Sequence, residues 1–147
     1  MKKSDQAKNM FMEGYSCSQA VYTPFAVDLG IDKETALKIS SSFGGGIAGS
    51  GKTCGAVTGA ILAIGLKYGN TDPDNTEAKQ ICYDKGNLFL EKFKELNNSK
   101  TECNDLVGYK RNDISEHNKA KELGLYKTIC PNLVTDAANI LEEILGS

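Results

Sequence analysis

Apolar residues recur along this chain at spacings of three and four, and over no stretch do they alternate with polar ones for the length of a strand. β-Branched residues are scattered, and no Asn-Gly or Asp-Gly turn separates two apolar runs, so the pattern predicts helices throughout. Ser4 and Asp5 can cap a first helix carrying Ala7, Met10, Phe11 and Tyr15, interrupted near Gly14. Ser16 or Cys17 opens a second, with Ala20, Val21 and Phe25 inward and Pro24 expected to kink or shorten it. Asp32 caps a third, which carries Ala36, Leu37, Ile39 and Phe43. A fourth, over residues 54–68, is apolar all round and so belongs at the centre of a bundle. A fifth, over 76–96, turns Ile81, Leu88, Phe89, Phe93 and Leu96 inward and leaves Glu91, Lys92, Lys94 and Glu95 in water. A short helix over 101–108 and a charged surface helix over 115–123 follow. Pro131 then opens the last helix, with Leu133, Val134, Ala137, Ile140, Leu141, Ile144 and Leu145 on one side.

These elements make an all-α fold, a helical bundle formed by one domain over residues 1–147, in which the central apolar helix follows a glycine-rich loop. Gly44, Gly45, Gly46, Gly49 and Gly51 make that loop flexible. Gly55 and Gly59 share one face of the helix after it, with Ala56, Ala60 and Ala63 beside them, which lets a neighbouring backbone come close.

Composition narrows the function. Seventeen basic residues stand against 19 acidic ones, a net charge of −2, so no domain-wide positive field exists to gather phosphates, and neither nucleic acid nor an anionic membrane is an expected partner. The longest uncharged stretch of the apolar region, residues 53–66, is well short of the ~20 residues that cross a bilayer. The first six residues turn polar and acidic before any apolar run, so no secretory signal is expected and the cytoplasm is the predicted location. Five cysteines in a reducing compartment point to buried thiols, metal ligands or redox groups rather than a disulfide framework.

Residues 46–53 read Gly-Ile-Ala-Gly-Ser-Gly-Lys-Thr and satisfy the G-x-x-x-x-G-K-[ST] pattern of a phosphate-binding loop. That pattern requires a buried strand before it and a parallel sheet around it, whereas the preceding residues 37–43 are polar and helix-like. Nucleotide binding is therefore the weaker reading of this segment. With Thr53 as N-cap, Cys54 falls in the first turn of the central helix, where free N–H groups and the positive dipole end favour a thiolate, making it the strongest single nucleophile candidate. Cys17, Cys103 and Cys130 likewise sit at predicted helix starts, while Cys82 lies mid-helix as a small apolar residue. No C-x-x-C pair exists, so zinc fingers and thioredoxin-like motifs are disfavoured, and only tertiary packing could bring the four cysteines together. The alternative is that each is a buried hydrophobe beside a cap. His117, in a charged run, reads as a solvated surface residue, and Asn70, Asp72 and Asp74 fail as a calcium loop because Pro73 interrupts them.

The blocks Gly14-Tyr15-Ser16-Cys17-Ser18-Gln19-Ala20-Val21, Phe43-Gly44-Gly45-Gly46, Cys54-Gly55-Ala56-Val57-Thr58-Gly59-Ala60 and Gly65-Leu66-Lys67-Tyr68-Gly69, with the isolated Cys103 and Cys130, resemble a family of redox-active proteins. That family is named for its pattern C_GCAxxG_C_C and includes selenoproteins. This sequence reads Cys-Gly-Ala where the family shorthand reads Gly-Cys-Ala. The resemblance implies that Cys17, Cys54, Cys103 and Cys130 are the pattern cysteines, that Cys82 is not, and that Lys52-Thr53 complete a phosphate-loop pattern by chance. It implies thiol/disulfide or electron-transfer chemistry through those four residues, with an unidentified redox partner. The same four could instead ligate a metal, an iron–sulfur cluster above all, since its ligands are thiolates. A homo-oligomer is left open.

Overall fold

Side-chain oxygens placed just ahead of apolar-periodic runs set where four of the described helices start, because they take up amide donors that have no partner inside the helix. In the computed structural model, which describes residues 1–146, Ser16 and Gln19 form a reciprocal capping box at the start of Cys17–Asp28 (α2). Asp32 caps Lys33–Ser41 (α3), Asn75 caps Thr76–Leu96 (α5) and Asp113 caps Ile114–Glu122 (α7), each accepting one first-turn amide. The remaining helices among the described residues are Lys3–Met12 (α1), Gly55–Tyr68 (α4), Cys103–Val107 (α6), Leu125–Thr128 (α8) and Cys130–Leu145 (α9). The fold is all-α, as the pattern predicts; β-pairing among the described residues is confined to an isolated bridge between Thr53 and Glu102.

Some boundaries differ from the sequence reading. α1 starts two residues early, at Lys3 after Lys2, because Ser4 is buried inside the first turn rather than capping it. Pro24 stays within α2, which runs on to Asp28: the proline forfeits one backbone donor without ending a helix that is buried from Ala20 to Ala26. On α5 only Phe89 and Phe93 are fully buried, stacked with centroids 5.9 Å apart, whereas Ile81, Leu88 and Leu96 are exposed. The helix touches the bundle along a stripe narrower than its apolar content, packing chiefly on α4 and α9.

α4 packs against α2, α5 and α9, and α9 in turn reaches α1, α2, α5 and α8, so two helices share the centre that the sequence assigns to one. α9 earns this by its strongly sided pattern: every expected inward residue, from Leu133 to Leu145, is buried. Tyr68 and Lys67, at the end of α4, hydrogen-bond to the carbonyls of Ile144 and Leu145 and tie the far ends of the two helices together.

A close backbone approach that bears on function lies between α2 and α4. A Cβ added at Gly59 would stand 2.7 Å from the Ser18 carbonyl oxygen, and one at Gly55 would stand 2.9 Å from the Ser18 amide nitrogen and 3.1 Å from Cys17 Cβ. Backbone thus lies directly on backbone. Ser18 is fully buried there, and its hydroxyl donates to the Ser40 carbonyl at 2.7 Å, which fixes the end of α3 against the same seam.

Gly59→Ala is therefore expected to lose about 1–2 kcal/mol, since overpacking costs about 1–3 kcal/mol and the better helix former returns up to ~1 kcal/mol. Gly65→Ala, on the same helix with open space around its Cβ, is expected to gain about 0.5–1 kcal/mol. Urea unfolding midpoints that move in the same direction for both variants would contradict this account of the seam.

Candidate functional site

The four cysteines at helix starts reach their positions through two devices. The first is the α2/α4 seam, which sets Cys17, the first residue of α2, beside the start of α4. Cys54 is the N-cap of α4 rather than a first-turn residue, because Thr53 is held in the bridge to Glu102 and cannot cap. The second device is that bridge and the loop before it. The Cys54 amide donates to the Thr101 carbonyl at 2.8 Å and the Cys103 amide to the Lys52 carbonyl at 2.6 Å, so Cys54 and Cys103 sit on facing segments.

Residues 43–52 wrap around this bridge with successive left-handed residues, including Ile47 and Ala48 as well as Gly45, Gly46, Gly49 and Gly51. At Gly46 and Gly51 the absence of a side chain is required by packing. A Cβ at the first would lie 2.8 Å from Cys103 Cβ, and at the second 2.1 Å from Asn104 Oδ1. Asn104 passes this contact on, its Oδ1 accepting the Arg111 amide at 2.8 Å, and Arg111 lines the same cavity as the thiols.

Cys17, Cys54, Cys103 and Cys130 line one cavity of about 780 Å³. Cys130, first in α9 with Pro131 after it, completes the set. Every pair among the four interacts electrostatically. Their environments nonetheless differ. Burial pushes the Cys54 thiol up to about 12, and the amides of Ala56 and Val57 pull the other way too weakly to offset it. Burial likewise raises Cys103, against the opposing charge of Arg111. Cys17 and Cys130 act on each other more strongly than any other group does: interaction with Cys130 holds the Cys17 thiol well above the ordinary range, and interaction with Cys17 lowers Cys130. The Arg111 guanidinium lowers Cys130 further while burial opposes both. Desolvation thus works against the expectation that Cys54 is the readiest nucleophile, because it opposes the residue's place at a helix start. Of the four thiols, Cys130 is the one held below its ordinary pKa.

A polar group that the sequence reading passed over completes the wall. The Arg111 carbon Cζ lies 4.7 Å from the Tyr126 ring centroid, and the Tyr126 hydroxyl is 2.8 Å from His117 Nδ1. His117 is not the solvated residue expected. It faces the cavity, and burial and then Arg111 hold its pKa below the ordinary imidazole value. Arg111 is the chain's one arginine, among 17 basic residues, and that singularity was the available signal. Cys82 lies apart on α5 against the hydrophobic core.

A family model described as "Putative redox-active protein (C_GCAxxG_C_C)" matches residues 15–144. The chain belongs to this C_GCAxxG_C_C family. Neither the comparison with curated proteins nor that with solved structures returns a match.

For this C_GCAxxG_C_C protein the phosphate-loop pattern has no phosphate geometry. The six successive amides from Ile47 to Lys52 all donate to carbonyls between Ser42 and Ile47, so the donors that would cradle a phosphate are already engaged. Nor do the thiols fit a single metal ion: among the described residues no three His, Cys, Asp or Glu side chains are arranged to hold one.

Two measurements follow. Equilibrium dialysis with ATP or GTP and Mg²⁺ is expected to give no binding, and tight binding lost on Lys52→Ala would overturn the loop assignment. Because the thiolate is the reactive form, the alkylation rate of Cys130 should rise with pH and level off below the ~8.5 of an ordinary thiol. Arg111→Gln should move that rise to higher pH and slow alkylation at pH 7 by up to about tenfold, the factor carried by one pH unit. Peptide mapping of the alkylated sites checks both, and modification of Cys54 before Cys130 would contradict the assignment.

Proposed function

We propose that this protein is a thiol–disulfide redox protein in which Cys130 is the nucleophile and Cys17 its resolving partner. The placement of Cys17 and Cys130 on one cavity, where each shifts the other's pKa, supports this reading, since a redox dithiol needs one sulfur poised as thiolate and a second thiol beside it. Arg111 supports it by stabilising the charge on Cys130.

The exchange balances without any bound cofactor. The Cys130 thiolate attacks one sulfur of a disulfide, breaking that S–S bond and expelling a thiolate, which takes up a proton from solvent. Cys17 then gives up its proton and attacks the Cys130 sulfur, forming the Cys17–Cys130 disulfide and releasing the second thiol. Two electrons pass from the protein to the disulfide that is reduced.

Four thiols around one cavity are also the donor type of an iron–sulfur cluster, which Cys17, Cys54, Cys103 and Cys130 would hold. The strong mutual influence of Cys17 and Cys130 is the ground for preferring the dithiol, whose two sulfurs must meet, to a cluster, whose core would stand between them. Anaerobic purification followed by iron and sulfide analysis distinguishes the two. The expected result is metal-free protein that a small disulfide converts to a Cys17–Cys130 disulfide, reversibly and with two electrons, and unchanged in Cys82→Ser. Stoichiometric iron and sulfide with a visible charge-transfer spectrum would replace the dithiol by the cluster.

A further inference from the structure

We infer that the cavity beside Cys17 and Cys130 takes a small disulfide bearing carboxylate groups, bound through Arg111, Lys121 and Lys127 and reduced by the cysteine pair. This rests on the dithiol reading above and names its substrate class.

The charge of the cavity wall is the first ground. The chain as a whole is slightly acidic, yet the residues lining this cavity include Arg111, Lys121 and Lys127 and not one Asp or Glu. Among the described residues, no carboxylate lies within ion-pair distance of any of the three, although lysines elsewhere do find acidic partners, as Lys119 does with Glu122. Three uncompensated cations in a cleft focus a positive potential and raise the local concentration of anions. Against the −2 of the whole chain, this is a local reversal of sign at the thiols.

Shape and chemistry narrow the anion. Arg111 is held between Gly45 and the Tyr126 ring, so its planar fork is oriented before any ligand arrives, which suits two-point recognition of a carboxylate. Phe11, Leu106 and Leu133 supply an apolar side for the carbon skeleton. About 780 Å³ is within the ~300–1,000 Å³ of small-molecule sites. Cys17 and Cys130 line the same charged cleft, and the electrophile that a cysteine pair reduces is a sulfur–sulfur bond. In one turnover the dicarboxylate disulfide gains two electrons and two protons to leave as two thiols, and Cys17 and Cys130 become a disulfide.

Stopped-flow kinetics test this with three probes on the reduced full chain: dianionic 5,5′-dithiobis(2-nitrobenzoate), neutral 4,4′-dithiodipyridine and cationic cystamine. Each rate is divided by that of the same probe with N-acetylcysteine amide, which removes the probes' intrinsic reactivities. The expected order is dianion, neutral, cation, with the dianion favoured over the neutral probe by about tenfold or more at low ionic strength and by less as salt is added. In the Lys121→Gln/Lys127→Gln double variant, whose substitutions are at exposed positions, the dianion-to-neutral ratio should fall several-fold. A normalised ratio near one that ignores salt and the double variant would overturn the inference, while a Cys17–Cys130 disulfide formed with the neutral probe would leave the dithiol reading standing. If mass spectrometry finds that disulfide with none of the probes, the dithiol reading itself fails.

Discussion

The site depends first on two backbones being allowed to touch. α2 and α4 meet where Gly55 and Gly59 leave room for Ser18, and any side chain at either glycine would have to occupy space held by Ser18 backbone atoms. Close-packed interiors have little slack to absorb such a change. The consequence reaches beyond the seam. Cys17 precedes Ser18 and Cys54 precedes Gly55, so the same contact that packs the helices sets two thiols at one end of them. Ser18 also anchors the end of α3 through the Ser40 carbonyl, and the glycine-rich loop departs from that end. Helix packing and thiol placement are one constraint here.

The loop acts as a strap rather than a cradle. Its own carbonyls take up its amides, so it is ordered without a ligand, and its left-handed turns aim carbonyl groups at the amides of Cys103 and Asn104. A chain of short contacts then runs from Gly51 through Asn104 to Arg111. Arg111, which lines the same cavity as the thiols, is therefore positioned by the backbone course of residues 43–52, although it lies more than fifty residues further along. Larger residues at Gly46 or Gly51 would both strain the turn and displace Cys103 or Asn104.

How far all this could be read from the sequence follows from the range of each interaction. Caps at Ser16 and Asp32 act within three residues, and they were legible. So was the packing role of Gly55 and Gly59, because small residues on one helical face have few other uses. The sequence pattern failed on Ile81, Leu88 and Leu96, whose apolar spacing says nothing about which neighbours are present to cover them. It failed on Thr53 as well, where a long-range bridge to Glu102 overrode a good local cap. Arg111, His117 and Tyr126 were illegible as a group, since their meeting depends on the loop, on α7 and on α8 together. The cysteines were legible as candidates and their differences were not.

Those differences come from magnitudes that local position does not decide. Cys17, Cys54, Cys103 and Cys130 all stand at helix starts, where the dipole favours a nearby negative charge by about 0.3–1 kcal/mol. At Cys54, burial moves the thiol from 9.0 to about 12, on the order of 4 kcal/mol against the thiolate at ~1.36 kcal/mol per pH unit. The dipole loses there by a wide margin. Cys130 is buried too, but it gains the interaction with Cys17 and the field of Arg111, and those two together reverse the sign. Removing Arg111 would leave Cys130 with burial and the interaction with Cys17, a balance closer to that of its neighbours. The division of labour among four similar cysteines is thus written in one arginine and the mutual influence of two thiols.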